Sequence, residues 1–255
     1  MSNKIAQEFR EKQEPVRLNK YLSEAGVCSR READRLIESG KVSVDGKRAE
    51  MGMKVLKGQE VRVGKKIVSK QDEMIVLAVH KPVGIECTEE RRERDSIVRF
   101  LNYPTRVTYV GRLDKDSRGL LLMTNNGDII NKMMRAGNLH EKEYKVTVDQ
   151  PITNDFLKAM ASGVKILDTV TRPCQIRQIG KYTFTIILTQ GLNRQIRRMC
   201  EALGYKVKDL LRTRIMNIEL GDLKEGAYRK LTDQELNDLY EQIRDSSNET
   251  VISPK

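Results

Sequence analysis

Asp114 and Asp116 stand in the segment VGRLDKDSRGLLLMTNNG, residues 110–127, with Arg112, Lys115 and Arg118 around them. A carboxylate on a loop among cations is either an ion-paired surface group or a reactive carboxylate, poised as nucleophile or base. A second group, HEKEYKV at 140–146, carries Tyr144, which by itself reads equally as a core aromatic and as a residue of a site. The third, GLNRQIRRMCEALGYKV at 191–207, brings Arg194, Arg197 and Arg198 into one turn. What is missing narrows the chemistry. GQEVRVGKK at 58–66 has the wrong spacing for a phosphate-cradling loop and lacks its hydroxyl, and there is no GxGxxG or HExxH. Cys28, Cys87, Cys174 and Cys200 lie far apart without a CxxC, and His80 and His140 are the chain's two histidines. The thiols therefore read as small hydrophobes rather than disulfides or zinc ligands. ATP, NAD and metal are not expected.

Those residues need elements to hold them. Leu120–Met123 form an apolar run of strand length, and Asn126-Gly127 marks a turn into a helix with Ile129, Ile130, Met133 and Met134 on its apolar side, ending at Gly137. Asp114 and Asp116 then fall on the loop before a core strand, where a scaffold can hold a reactive group rigidly. Tyr144 opens an alternating strand with Val146 and Val148, and YTFTIILT at 182–189 has strand composition. Ile196, Met199, Cys200 and Leu203 make one helical stripe, from which Arg194, Arg197 and Arg198 project, and Gly204 closes the helix.

The chain of 255 residues has a net charge of +11 and a pI near 9.5, which favours a polyanionic partner. No apolar run approaches the roughly 20 residues of a spanning helix, and MSNKIAQEFREKQEP lacks a signal-peptide core. A cytoplasmic protein is expected. Much of the charge lies early: residues 1–72 hold 17 basic against 11 acidic side chains. Leu18, Tyr21, Leu22 and Ala25 make a helix stopped at Gly26. Ser29 and Glu32 have capping-box spacing before a second helix with Ala33, Leu36 and Ile37, and VSVDGKRA turns a hairpin at Asp45-Gly46. Arg17, Lys20, Arg30, Arg31, Arg35, Lys41 and Lys47 fall off the apolar stripes and are candidate RNA contacts.

That module, VRLNKYLSEAGVCSRREADRLIESGKVSVDGK, resembles an S4 domain, which implies docking on folded RNA through paired helices. GRLDKDSRGLLLMTN resembles the active-site motif of the RsuA/RluB/RluE/RluF family of pseudouridine synthases, with KPVGIECT at 81–88 as its scaffolding loop. The resemblance implies Asp114 as the essential residue, Arg112 as the base-displacing or positioning arginine, and Tyr144 as the aromatic that stacks on the target base. It also implies Arg197 as the cation paired with Asp114 and Ile196 as a pocket-lining aliphatic. Asp116 has no catalytic counterpart and reads as structural; Arg194 and Arg198 read as phosphate contacts. HEKEYKVTVDQPIT and LRTRIMNIEL are similar to the RluF-type branch, which implies a uridine of 23S rRNA near the peptidyl-transferase centre, with a tRNA as a second candidate target.

The expected architecture is α+β. A flexible tail at 1–14 leads to an S4 RNA-binding domain at 15–72, then a catalytic domain at 73–245 with a mixed, mainly antiparallel sheet, then a flexible tail at 246–255. The expected molecule is a monomer acting on RNA. Two rivals are a non-enzymatic ribosome-assembly factor, which would place no demand on Asp114, Tyr144 and Arg197 together, and an S4-bearing methyltransferase, for which the glycine-rich adenosylmethionine loop is missing.

Overall fold

The computed structural model describes residues 15–68, 74–90, 93–134, 139–244 and 246. The tail at 1–14, nearly all of that at 246–255, the boundary near 72 and the helix stop at Gly137 lie outside the described residues. The chain divides into two compact units. The first runs to Ile75 and takes in the short segments Tyr103–Val107 and Asn125–Gly127; the second holds the remainder.

In the first unit, β1 (Val16–Arg17) leads into α1 (Leu18–Glu24) and α2 (Arg30–Glu38). Five short strands follow: β2 (Val42–Val44), β3 (Lys47–Arg48), β4 (Lys54–Val55), β5 (Val61–Val63) and β6 (Lys66–Val68). They form as the local chemistry asks. Gly26 takes a positive φ just beyond α1, and the Ser29 hydroxyl accepts from the Glu32 N–H at 3.2 Å to cap α2. Asp45 and Gly46, with φ of 49° and 77°, make the tight turn between β2 and β3. Strands pair in the order β3-β2-β5-β6, and β1 pairs β4. Leu18, Leu22, Ala33, Ile37, Val42, Val44 and Val61 close the core beneath them.

The second unit is built on one sheet. Its strands are β7 (Val76–Lys81), β8 (Thr108–Val110), β9 (Arg118–Thr124), β10 (Lys142–Val148), β13 (Gln175–Gly180), β14 (Thr183–Leu188), β15 (Val207–Ile215), β16 (Ile218–Glu219) and β17 (Tyr228–Lys230). A separate two-stranded pair joins β11 (Lys165–Ile166) to β12 (Thr169–Val170). The main path is β13-β14-β10-β15-β9-β7-β17, with β16 on β15 and β8 on β9. Every pairing is antiparallel except β15 with β9, so the sheet is mixed and mainly antiparallel, as expected.

That parallel junction is two residue pairs long, Leu211 with Arg118 and Arg212 with Gly119. Gly119 sits there at φ +111°, where a Cβ would lie 2.4 Å from the Arg212 carbonyl oxygen, so only glycine fits. The helices are α3 (Ile97–Leu101), α4 (Gly127–Met134), α5 (Asn154–Ser162), α6 (Gln195–Ala202) and α7 (Asp233–Ile243). Phe156 of α5 and Ile196, Met199 and Cys200 of α6 pack on Val146, Phe184, Ile186 and Leu210 of the sheet. All four cysteines are free thiols, Cys87 and Cys200 being buried.

Candidate active site

Asp114 lies on the loop between β8 and β9, one residue before Lys115 and four before the core strand begins. The loop is held from several directions. The Ser117 N–H donates to the Asp114 carbonyl at 3.0 Å, closing a turn around Lys115 and Asp116. From the KPVGIECT segment, the Gly84 N–H donates to the Lys115 carbonyl at 2.8 Å, and Cys87 Sγ accepts from the Leu113 N–H at 3.4 Å. Lys81 shapes that segment: its Nζ, fully buried, donates to the carbonyls of Pro82 at 2.8 Å and Ile85 at 2.7 Å. Burial pushes the Lys81 ammonium down to about 8, with Arg212 pushing the same way and Cys87, Asp114 and Asp116 opposing it. The scaffolding role expected of KPVGIECT thus has a geometry.

The two carboxylates of the loop differ. Asp116 receives both terminal nitrogens of Arg194, at 3.0 and 2.8 Å, and Arg197 Nε lies 3.4 Å from it. The Arg194 hydrogen bonds hold the Asp116 carboxyl below its usual range, with the charges of Arg197 and Arg194 adding to the effect and partial burial opposing it. Asp114 has one ion pair among the described residues, to Arg194 Nη1 at a loose 3.7 Å, and its side chain is 33% exposed. Its carboxylate accepts no hydrogen bond among the described residues, whereas the lone pairs of Asp116 are spent on guanidinium.

The arginines are placed differently from expectation in one respect. Arg197 does not meet Asp114: its Nη2 donates to the Asp116 carbonyl at 2.7 Å and to the Ser117 hydroxyl at 3.0 Å, and the side chain is only 14% exposed. Arg194 takes the place beside Asp114 and also bonds Asp116. The reason is local. Arg194 caps α6 in the left-handed conformation, φ 51°, which turns its side chain to the loop, whereas Arg197 is anchored one turn further in. Arg198 bonds back to Asn193, through the carbonyl at 3.1 Å and the side-chain oxygen at 3.3 Å.

Arg112, two residues before Asp114, is exposed and its guanidinium forms no ion pair or hydrogen bond among the described residues. Tyr144 lies on β10, half-buried against the cluster that holds Ile196. Its register partners are Ile186 on β14 and Arg212 on β15. Ile196 itself is buried in that cluster.

Arg212 was not singled out from the sequence. It is 2% exposed, its Nε donates to the Leu120 carbonyl at 2.6 Å, its Nη1 reaches the Arg112 carbonyl at 3.4 Å, and its Nη2 is buried without a hydrogen-bond partner. Nothing in the sequence sets it apart from Lys208, Asp209 and Arg214 of the same strand. In the first unit Arg17, Arg30, Arg31, Arg35, Lys41 and Lys47 are exposed, while Lys20 is half-buried beside Glu24 at 3.6 Å. No helix among the described residues is long and apolar enough to cross a membrane.

Comparison with known proteins gives this geometry a context. A family model described as RNA pseudouridylate synthase matches residues 75–202, and the S4 domain model matches residues 16–61. The chain is 54% identical to the dual-specificity RNA pseudouridine synthase RluF of Escherichia coli K12, over 94% of this chain and 83% of that protein. It is 36% identical to the ribosomal large subunit pseudouridine synthase B of Bacillus subtilis, over 86% of this chain and 93% of that protein. A crystal structure of a pseudouridylate synthase superimposes with a TM-score of 0.65 at 27% identity, covering 88% of this chain and 99% of that one.

Proposed function

The chain belongs to the RNA pseudouridylate synthase family, and from that premise we propose that Asp114 is its nucleophile, acting on a uridine of 23S rRNA near the peptidyl-transferase centre, with a tRNA as second substrate. The enzyme converts uridine to pseudouridine in RNA, and membership of the family sets aside the assembly-factor and methyltransferase readings. The reaction breaks the bond between N1 and C1′, turns the base, and joins C5 to C1′ of the same ribose, without net oxidation. One carboxylate can serve as nucleophile and then as the base that removes the C5 proton once the new bond has formed. The uridine must first leave its stack, at a cost of a few kcal/mol.

The observation that carries the assignment is the contrast between two carboxylates on one loop, Asp116 saturated by Arg194 and Asp114 with one loose partner at 3.7 Å. Arg112, exposed and uncommitted beside Asp114, suits the displacement of the base or the holding of a phosphate. Tyr144 supplies the stacking face and Ile196 the apolar wall behind it. Arg194 orients Asp114 while neutralising Asp116, and Arg197 fixes the turn at Asp116 and Ser117. The exposed cations of the first unit dock the RNA through its phosphates, with Arg198 as a further contact. The relatives, a dual-specificity RNA enzyme and a large-subunit enzyme, support the choice of substrates.

A monomer in the cytoplasm, without metal or cofactor, completes the reading. Mapping pseudouridine across rRNA and tRNA in cells with the wild-type protein, with Asp114→Asn and with neither tests it. A 23S site that vanishes with the protein and is not restored by Asp114→Asn is the expected result; a site restored by Asp114→Asn refutes the nucleophile. Turnover by purified protein in excess chelator, without nucleotide, is the second expected result.

A further inference from the structure

We infer that Arg212 is a positioning residue for the isomerisation, the tie that sets the Asp114 loop against the strand that carries Tyr144. The inference rests on the assignment of Asp114 and Tyr144 given above. Three observations converge on it. The backbone of Arg212 lies in register with Gly119 of β9 on one side and with Tyr144 of β10 on the other, so one residue of β15 sits between the strand that follows the Asp114 loop and the strand of the tyrosine. Its guanidinium then reaches the carbonyls of Arg112 at 3.4 Å and Leu120 at 2.6 Å, which flank the loop on either side of Asp114. Gly119, having no Cβ, permits the close approach of β9 to β15 at that point.

A buried arginine is costly unless its donors are used for something. Among the described residues neither of its two bonds is to a carboxylate, and Nη2 has no hydrogen-bond partner. The surroundings add to the cost: Lys81 and Lys142 are both pushed down to about 8, by burial first, and Arg212 adds to the effect on each. A core that needed only packing would place an apolar side chain at this buried point of the strand. The planar fork of arginine is the side chain that can bond two separate carbonyls in fixed geometry, and a lysine cannot reproduce it. Fixing the Asp114 loop at both ends relative to Tyr144 serves a reaction in which a nucleophile and a stacked base must meet within a fraction of an ångström.

The test compares wild-type protein, Arg212→Gln, Arg212→Lys and Asp114→Asn, all as full chains, by RNA dissociation constant and single-turnover pseudouridine formation at saturating enzyme. Thermal melting of each is followed in parallel, and rates are taken well below the lowest melting temperature. Both Arg212 variants should lose about 100-fold in the saturated rate, the scale of a misplacement of about 1 Å, while binding RNA within about threefold of wild type. A wild-type rate in either variant overturns the inference, as does a loss that lies wholly in affinity or merely follows the folded fraction. Arg212→Lys keeps the buried charge and is the variant to read should Arg212→Gln not fold; if neither folds, Arg212 is a core residue and the inference fails. Asp114→Asn separates the two levels. Retained turnover in Asp114→Asn removes the nucleophile assignment and this inference with it, whereas an inert Asp114→Asn beside fully active Arg212 variants removes this inference alone.

Discussion

Asp114 and Asp116 are two residues apart, and the pattern of their hydrogen bonds separates them more sharply than their spacing does. Asp114→Asn should lower the rate of pseudouridine formation by about 10⁴-fold or more, the scale of losing a nucleophile, with RNA binding and fold retained. Asp116→Asn should lose no more than roughly tenfold, the order of an exposed ion pair, since it loosens Arg194 without removing a reacting group. Equal losses in single-turnover assays would refute the division of roles. The same pair makes a pH prediction. The folded-state pKa of Asp116 is depressed, chiefly by its bonds to Arg194, so the pairing contributes stability above the unfolded carboxylate value, about 3.9, and loses it as pH falls through the folded value. The melting difference between wild type and Asp116→Asn should therefore be constant near neutrality and close below about pH 3.9. A gap that widened on acidification would contradict the sign.

At the scale of elements, the junction of β9 with β15 carries a constraint out of proportion to its length. It is the one parallel pairing of the sheet and links the strands on the Tyr144 side, β10 and β14, to those on the β7 side. Gly119→Ala would force a methyl group to 2.4 Å from the Arg212 carbonyl oxygen at a positive φ, with backbone on both sides of the clash. The expected cost is roughly 3 kcal/mol or more, from strain and overpacking together, visible as an early unfolding transition of the second unit. Helix α7 gives a milder comparison. Thr232 and Glu235 form a reciprocal capping box at its start, so Thr232→Ala should cost about 1 kcal/mol without altering turnover per folded molecule. Chemical denaturation of the two variants side by side checks both magnitudes.

For the whole molecule, the proposed docking and catalytic residues fall in separate units. The first unit carries the exposed cations and its own small core, and the second carries Asp114, Tyr144, Arg194 and Arg197 over a core of its own. Removing residues 1–72 should leave the second unit folded while weakening RNA affinity. It should also flatten the salt dependence, by about 0.7 to 0.9 in the log-log slope for each phosphate no longer neutralised. Turnover at saturating RNA should change less than affinity. Binding isotherms across a salt series, with single-turnover rates for both chains, are the measurement. An unchanged slope with an abolished saturated rate would place part of the active site in the first unit.

Much of this was legible in the order of residues, because it depends on short-range chemistry. The caps at Ser29 and Gly26, the turn at Asp45-Gly46, the buried strand at Leu120–Met123 and the apolar stripe of Ile196, Met199 and Cys200 are each encoded within a dozen residues, where periodicity and turn preference suffice. The motif around Asp114 and the S4 pattern are equally local. The tertiary structure alone decided which cation meets which carboxylate. Arg194 and Arg197 lie some 80 residues from the loop, and whether one or the other reaches Asp114 turns on a left-handed cap and a few ångströms of helix placement. The same holds for Arg212, about 100 residues from Arg112, which reads in sequence as one of several charges in a strand. Its meaning arises from strand order and register, and these are set by packing across the whole sheet rather than by any preference of its neighbours.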